Sequence, residues 1–507
     1  MSCEIELKLR LTPVQARRLT AHPMLAGIAP EKSRLFNTYY DTPGLELKAR
    51  GIALRLRRKG WSTWLMTVKG GDAGAGGLAQ RHEWEAPTHP GVFDFSIVDV
   101  PELRAFLEER RERLLPVFTT DFTRTAWLLK TPGSAIELAL DRGKISATRL
   151  TADRSTVTEN LCELELELVE GVSTDPLFDA AIGLAADFQL HPEIRSKAER
   201  GYSLAMAATA APAKGFGAAI ERRMTSIEAF RSIASTCLVQ LQRNEAGAVA
   251  GDNPEYIHQA RVAIRRLRSA FRLFAPLLAP AFLDVYPPRW KALAAQLGGA
   301  RDWDVFLAET LKPLEEVFPD NADLVYLRAR AEECRQAAGS SAADALSQRE
   351  YSRLLLAFTA ALLREAAPTI ARDASDRGPE NLRHFAARRL RKRWEAIAAL
   401  TRQPGRMDTA HRHRLRIEFK KLRYALEFFA PILPRKRVSG YLQALAAIQE
   451  QLGRLNDQVT AQRLIEDLHP GHSPDSLVVG WIAGRTQLLL TSLEPELKRF
   501  LSRAKPW

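Results

Sequence analysis

The sequence predicts a multi-domain chain, a β-rich N-terminal half followed by an all-α C-terminal half. Three observations lead there. Strict alternation of apolar and charged residues recurs through residues 1–206. A stretch rich in Ala, Gly and Pro, Ala205 to Gly217, then breaks the pattern. Beyond it, apolar residues recur at helical spacing, in two blocks that repeat with one offset of 155 residues.

The first strand sets the pattern. In Glu4-Ile5-Glu6-Leu7-Lys8-Leu9-Arg10-Leu11, the apolar residues share one face and Glu4, Glu6, Lys8 and Arg10 the other. A single strand of this kind turns its charged face to water. Here the pattern returns with Arg55 and Arg57, with Arg81, Glu83 and Glu85, with Glu137 and Asp141, and with Glu163, Glu165 and Glu167. If these strands share a sheet, one face carries many carboxylates and many cations. Carboxylates gather hard divalent ions, and Arg and Lys bind phosphate oxygens. A face lined by both signs suits a metal-bound polyphosphate.

Composition sets the frame. A chain of 507 residues exceeds one ordinary core, so more than one domain is expected. No run approaches the ~18 apolar residues of a membrane span, and the chain opens directly in a charged strand, so neither a membrane nor a signal peptide is expected. Cys3, Cys162, Cys237 and Cys334 lie far apart without metal spacing, which reads as reduced thiols in a cytoplasmic protein. Residues 1–206 hold 27 Lys+Arg against 28 Asp+Glu, a net of −1, so the remainder carries +14 of the total +13. The helical half therefore expects an anionic partner.

Along the first half, helical patches are expected near 12–22, 101–114 and 174–187. Gly70 to Gly77 reads as a hairpin connection, with a lid as the alternative. The domain boundary falls at 207–217, read as a linker that permits motion. Residues 218–504 then read as helices, with Asp252-Asn253-Pro254 as one start signal.

The repeat aligns His258-x-x-Arg261-x-x-Ile264-Arg265-Arg266-Leu267-Arg268 with His413-x-x-Arg416-x-x-Phe419-Lys420-Lys421-Leu422-Arg423. Leu297-Gly298-x-x-Arg301-Asp302 meets Leu452-Gly453-x-x-Asn456-Asp457 at the same offset. Two similar helical bundles follow, with repeat halves at about 218–370 and 375–504. In the first copy, Ile257, Ala260, Ile264, Leu267 and Phe271 face a core. His258, Arg261, Arg265, Arg268 and Arg272 sit about 100° further round the helix. His413, Arg416, Lys420 and Arg423 form the second stripe, which departs at Glu427. Clustered cations repel one another unless an anion compensates them.

The N-terminal Glu4-x-Glu6-x-Lys8 resembles the ExExK signature of the CYTH superfamily, the triphosphate tunnel metalloenzymes. Tyr39-Tyr40-Asp41-Thr42-Pro43, Ala53 to Arg57, Thr67-Val68-Lys69-Gly70, Arg81-x-Glu83-x-Glu85, Glu163-x-Glu165-x-Glu167 and Lys197-x-x-Arg200-Gly201-Tyr202 fit the same family in order, across about residues 1–206. The resemblance implies eight antiparallel strands closed into a tunnel that hydrolyses or cyclises triphosphates. It implies Mg2+ or Mn2+ held by Glu4, Glu6, Asp141, Glu163, Glu165 and Glu167, without saying which of the last three coordinate. Lys8, Arg55, Arg57, Lys69, Arg81, Arg124, Lys197 and Arg200 would grip phosphate. Glu4, Glu6 and Lys8 are the expected catalytic residues, and either glutamate would serve as ligand or base.

The repeated His–x–x–Arg motif with its Leu-Gly block resembles the CHAD domain, the conserved histidine α-helical domain, over about 218–504. That resemblance implies binding of inorganic polyphosphate, here by His258, Arg261, Arg265, Arg266, Arg268, His413, Arg416, Lys420, Lys421 and Arg423, in two pseudo-repeated four-helix bundles. Phosphate contact is expected at both histidines ahead of packing, solvation or metal ligation.

Inorganic triphosphate is the expected substrate, with association with polyphosphate granules a further expectation. Thiamine triphosphate would need tunnel-mouth aromatics such as Trp61 and Trp64, and an ATP cyclase rests on family membership alone. A pure polyphosphate-binding or sensing protein is the rival from another class. Nucleic-acid binding is disfavoured, because the basic stripes hold few aromatics to stack bases.

Overall fold

The computed structural model describes residues 2–60, 62–70, 74–151, 153–207, 211–363, 381–402, 408–468 and 476–507. Trp61, Gly71 to Ala73 of the glycine-rich connection, 208–210 of the linker and the boundary between the repeat halves lie outside them. The chain divides into two compact units. One runs from the N-terminus to Ala211 and adds the helix Arg349–Leu363; the other holds the remainder.

In the first unit the strands are β1 (Ser2–Arg10), β2 (Glu31–Asp41), β3 (Ile52–Lys59), β4 (Thr63–Gly70), β5 (Leu78–Thr88), β6 (Leu115–Thr131), β7 (Ser134–Thr148) and β8 (Thr156–Glu170). All pair antiparallel, in the order β5-β4-β3-β2-β6-β7-β8-β1, and β5 returns to pair with β1. The eight strands therefore close on themselves, which removes every sheet edge. A two-residue β9 (His191–Pro192) adds to the rim of β1.

Closure turns the alternation inside out: charged residues face the lumen and apolar residues face outward. The outward leucines are covered by helices α1 (Pro13–Leu19), α2 (Glu46–Ala49), α3 (Pro101–Glu108) and α4 (Asp175–Leu184). Leu7, Leu9, Leu164 and Leu166 share one core with Leu19, Leu177 and Phe178. Leu54, Leu56 and Val68 share another with Leu47, Phe106 and Leu107. Helix α5 (Lys197–Ala205) is tied to the barrel where two of the sequence motifs meet. Tyr202 Oη donates to Asp41 at 2.9 Å, and Asp41 also accepts the backbone N–H groups of Leu47 and Lys48 at 2.9 Å. A Cβ at Gly201 would overlap the Phe118 ring, so only glycine lets α5 lie this close to β6.

The second unit holds α6 (Ser226–Ala250), α7 (Pro254–Phe274), α8 (Pro280–Gln296), α9 (Gly298–Val305), α10 (Lys312–Val317) and α11 (Ala322–Ser347), then α13 (Leu382–Thr401), α14 (Thr409–Phe429), α15 (Arg435–Leu468) and α16 (Ser476–Leu501). The helix of the first unit, Arg349–Leu363, is α12. Helices α7 and α14 begin and end 155 residues apart, as the repeat requires. In the first copy a break at Leu297 and a π-helical stretch, Phe306–Leu311, interrupt what α15 makes continuous in the second. Aromatic packing joins the halves: Phe274 stacks on Phe385 at 5.2 Å and meets Phe429 at 5.9 Å. No described helix is long and apolar enough to cross a membrane, and Cys162, Cys237 and Cys334 are free thiols.

Two features differ from the sequence-based expectation. The described end of the linker is pinned: Asn244 exchanges hydrogen bonds with both backbone groups of Ala213 at 2.9 Å, and Arg266 donates to the Phe216 carbonyl at 2.9 Å. Ala/Gly/Pro composition signals flexibility only when nothing holds the backbone polar groups. The second is α12, which falls in the sequence range expected to be helical bundle but packs on the barrel.

Arg266 is 5% exposed and also donates to Gln240 at 3.2 Å. Removing it leaves the buried Gln240 acceptor and the part-buried Phe216 carbonyl without this donor, at about 1–3 kcal/mol. Arg266→Leu should lower stability by that amount in urea unfolding while leaving affinity for polyanions unchanged.

Candidate functional site

The lumen of the barrel is a cavity of about 380 Å³ lined by Glu4, Glu6, Lys8, Arg55, Arg57, Lys69, Arg81, Glu83, Glu85, Arg124, Glu165, Glu167 and Lys197, together with Tyr39, Ala53, Ser196 and Ala198. Register explains how eight strands deliver these groups to one space. Glu4 lies opposite Arg81, Glu6 opposite Glu167, and Lys8 opposite Glu165. Glu6 thus has inward partners on both neighbouring strands, Glu4 one on β5 and Lys8 one on β8. Lys197 arrives from α5, whose capping box at Ser196 and Glu199 fixes where the helix starts. Arg200, one turn on, points to the same end.

Most of the charge is paired internally. Lys69 Nζ lies 2.6 and 2.7 Å from the Glu4 oxygens and 3.2 Å from Glu83. Lys8 lies 2.7 Å from Glu6. Arg124 forks onto Asp141 with two bonds of 2.8 Å and also bonds Glu165. Lys197 Nζ sits among three carboxylates, 2.8 Å from Asp141 and from Glu165 and in contact with Glu163. Arg200 holds Glu163 at 2.9 Å and Glu159 at 2.7 Å.

The expected metal ligands therefore separate into two groups. Asp141, Glu163 and Glu165 place carboxylate oxygens within 4.8 Å of one another, a spacing that would hold a metal ion. Yet the Lys197 ammonium already stands among them, and Asp141 and Glu163 lie behind the lining of the cavity. Burial works against the Lys197 charge, but Asp141, Glu163 and Glu165 outweigh it and hold the ammonium protonated, well above the usual lysine range. Glu4, Glu6 and Glu167 face the open lumen. Glu167 makes no ion pair among the described residues. Burial, then the nearby Glu4, Glu165 and Glu6 charges, push its carboxyl up to about 7. With Lys69 on Glu4 and Lys8 on Glu6, the cluster of Glu4, Glu6 and Glu167 holds one carboxylate more than its ammonium partners.

The anion side has its own open valences. The Nε atoms of Arg55 and Arg81 are buried and have no hydrogen-bond partner among the described residues, and both side chains line the cavity. Arg57, 4.0 Å from Glu85, is pushed down to about 10, first by burial and then by Arg55 and Arg124. Sequence reasoning missed Tyr39 and Ser196 in the lining; Tyr39 belongs to the Tyr-Tyr-Asp-Thr-Pro motif, where its inward parity was readable. Trp64 packs against the outer apolar cluster and is not part of the lining.

In the second unit the two basic stripes come together where α7 meets α14. Arg265 Nε donates to Tyr424 Oη at 2.7 Å. Lys420 is pushed down to about 6 by burial, then by Arg265 and Arg416, with Arg261 adding to it. Arg261 and Arg416 are both lowered by burial and by Arg265, Arg261 against the pull of Asp302 and Arg416 against the pull of Asp457 and Asp302. None of Arg261, Arg265, Arg416 and Lys420 forms an ion pair among the described residues. The histidines are not alike. Burial, then Arg301, pushes His258 down to about 4, whereas His413 is exposed and shares a hydrogen bond with Asn456 at 3.2 Å. Glu255 lies one turn before His258, but its carboxylate accepts from Gln259 at 2.7 Å. Arg266 turns away into the α6 side, Lys421 pairs with Glu418 at 2.5 Å, and Arg423 pairs with Glu427 at 2.7 Å. Arg268 is half-buried beside Arg272.

Glu167 yields a test of the lumen electrostatics. A carboxyl raised in the folded state favours folding while protonated, so its contribution is lost as pH rises from about 4.5 to about 7. In chelator-treated protein, Glu167→Gln should add about 1–2 kcal/mol of stability at pH 8, discounted for partial solvation, and none at pH 4. Thermal melts at the two pH values check it.

Residues 2–202 match the CYTH domain model, and residues 232–466 match the CHAD domain model. The chain is 34% identical over 206 residues to an inorganic triphosphatase of Haemophilus influenzae, covering 40% of this chain and 54% of that protein. It thus spans about half the length of the curated relative it matches. Among solved structures, the CHAD domain of the plant Ricinus communis shares 33% identity, covering 59% of this chain and 99% of that one, with a TM-score of 0.49. A proposed adenylyl cyclase from Hippeastrum, described as having a dominant triphosphatase activity, shares 17% identity, covering 39% and 95%, with a TM-score of 0.30. The chain carries a CYTH domain over residues 2–202 and a CHAD domain over residues 232–466.

Proposed function

We propose that the barrel hydrolyses inorganic triphosphate with a divalent cation, Mg2+ or Mn2+, and that the basic cluster of the second unit binds inorganic polyphosphate. The observation that carries the first reading is the local excess of carboxylate at Glu4, Glu6 and Glu167 beside unfilled guanidinium donors in one closed cavity. An all-oxygen donor set with surplus negative charge fits a hard divalent ion. Glu4, Glu6 and Glu167 would hold it, while Asp141, Glu163 and Glu165 serve chiefly to fix Lys197, Arg124 and Arg200. Bound there, the ion would neutralise phosphate charge and lower the pKa of a water.

The chain's own residues do the rest. Arg55 and Arg81 have open donors for phosphate oxygens, and Lys8, Arg57 and Lys197 add fixed charge around them. Water attacks the terminal phosphorus, the bridging P–O bond breaks, diphosphate leaves, and the water's proton passes to a carboxylate of the same cluster. Catalysis of this kind is positioning and electrostatics. The named activity of the Haemophilus relative supports inorganic triphosphate over thiamine triphosphate, and so does the outward packing of Trp64.

Loss of one preorganised charge from such a site costs about 10²–10³ in kcat. Glu4→Gln/Glu6→Gln should lose at least that much phosphate release from triphosphate with Mg2+, beside ATP, thiamine triphosphate and long-chain polyphosphate as controls. No release by the wild type from any of them would move the protein to the binding class.

For the second unit, four uncompensated cations from equivalent repeat positions support a polyanion. An anion raises the pKa of Lys420 from about 6, so binding takes up protons. Polyphosphate affinity should therefore fall as pH rises from 6 to 9, and the fall should vanish in Lys420→Arg. His258→Ala/His413→Ala should weaken binding at least about tenfold. Titration calorimetry in two buffers checks the proton uptake, and competition with RNA tests selectivity.

A further inference from the structure

Helix α12 stands between the paired helices of the repeat: it follows α11, which pairs with α16, and precedes α13, which pairs with α6. The chain thus lends one helix from its helical half to the barrel unit. That helix is buried along Ser352, Leu356, Thr359 and Ala360, which share one face. Leu356 and Ala360 belong to the same core as Leu7, Leu9 and Leu78. Arg349 and Arg353 donate to the carbonyl of Ala185 at 3.1 and 2.9 Å, just past the end of α4. These are carbonyls that a helix end leaves without internal partners.

The tip of this face reaches the strand that carries Glu6 and Lys8. Thr359 fills the space above Gly76, where a Cβ would overlap its side chain. Gly76 and Gly77 both sit at positive φ, and a Cβ on Gly77 would come within 2.6 Å of the Lys8 carbonyl oxygen. That same oxygen accepts the Glu193 N–H at 2.9 Å. Next to Glu193, β9 pairs with Leu9 and Arg10, and its His191 shares a hydrogen bond with Ser352 at 3.0 Å. The backbone of β1 at Lys8 is therefore held from two sides, by the Gly76–Gly77 turn and by β9. Both rest on α12.

We propose that α12 is a positioning element for the lumen, acting through Thr359 and the Gly76–Gly77 turn on the β1 backbone that presents Glu6 and Lys8. This rests on the hydrolase reading for its catalytic consequence but not for its structural one. Misplacement of a reacting group by about 1 Å is enough to cost two orders of magnitude in rate.

The test exchanges sizes across the contact in the full-length chain. Gly76→Ala creates the overlap, Thr359→Gly leaves a gap, and the double variant removes the overlap and refills part of the gap. Each single variant should lower kcat for triphosphate at least about tenfold, with KM within threefold, and should speed amide exchange over residues 7–9 by a similar factor. The double variant should return both to within threefold of wild type. A helix with only a general structural role would move the melting temperature without this split or recovery. Should Gly76→Ala not fold, Thr359→Ala and its conservative partner Thr359→Ser carry the same comparison, Ser being expected to behave as wild type. Unchanged amide exchange in the single variants, or no recovery in the double, overturns the proposal. If the wild type hydrolyses nothing, the function reading falls and the exchange data alone decide the positioning role.

Discussion

Lys197 Nζ stands among Asp141, Glu163 and Glu165, and the first unit depends on that arrangement. Three carboxylates from β7 and β8 are buried almost completely, at 0%, 1% and 8% exposure. Each would be costly to bury alone, and paired they remain acceptable only with good geometry. The cation they need comes from a helix rather than a strand, so α5 must dock at one place and in one rotation. Its capping box, the closeness allowed by Gly201 and the Tyr202–Asp41 bond all serve that docking.

The second unit handles charge in the opposite way. Arg261, Arg265, Arg416 and Lys420 meet with no carboxylate in ion-pair contact among the described residues, and Asp302 and Asp457 only soften the repulsion. Burial first, and then the like charges beside them, lower the pKa values of Arg261, Arg416 and Lys420. The repeat explains how the arrangement arises. One basic stripe on one helix is ordinary surface, whereas two copies facing each other across the junction of α7 and α14 become a cluster.

Much of this was legible in the sequence, and the limits have physical reasons. Period 2 identified the long strands and the lumen-facing parity of Glu4, Glu6, Lys8, Arg55, Lys69 and Glu165. The offset of 155 identified the repeated motif helices α7 and α14, but not the break at Leu297 that separates the first copy from α15. Parity could not say which carboxylates are spoken for, because cross-strand register decides that: Glu165 meets Arg124 and Lys197, while Glu167, two residues on, forms no ion pair among the described residues. Arg266 carries the right residue type but lies one position past the stripe, and 100° of rotation sends it toward the pinned linker. Helix α12 was invisible as a barrel element because its periodicity is that of any buried helix, and nothing local in a sequence says what will cover an apolar face.

The two charge regimes bear on how a polyanion would use each unit. In the lumen nearly every cation already has a carboxylate partner, so a triphosphate entering alone would meet a site close to neutral. It must either displace those carboxylates, leaving them buried and unpaired, or arrive with positive charge of its own. The first costs several kcal/mol per abandoned carboxylate. The second is what a divalent cation provides, and the excess charge at Glu4, Glu6 and Glu167 is where it would be accepted. The basic cluster of the second unit needs no such help, since its cations are unspent. On the proposed reading, a balanced lumen would favour the metal complex of a short phosphate chain, and an unbalanced cluster would favour the chain itself.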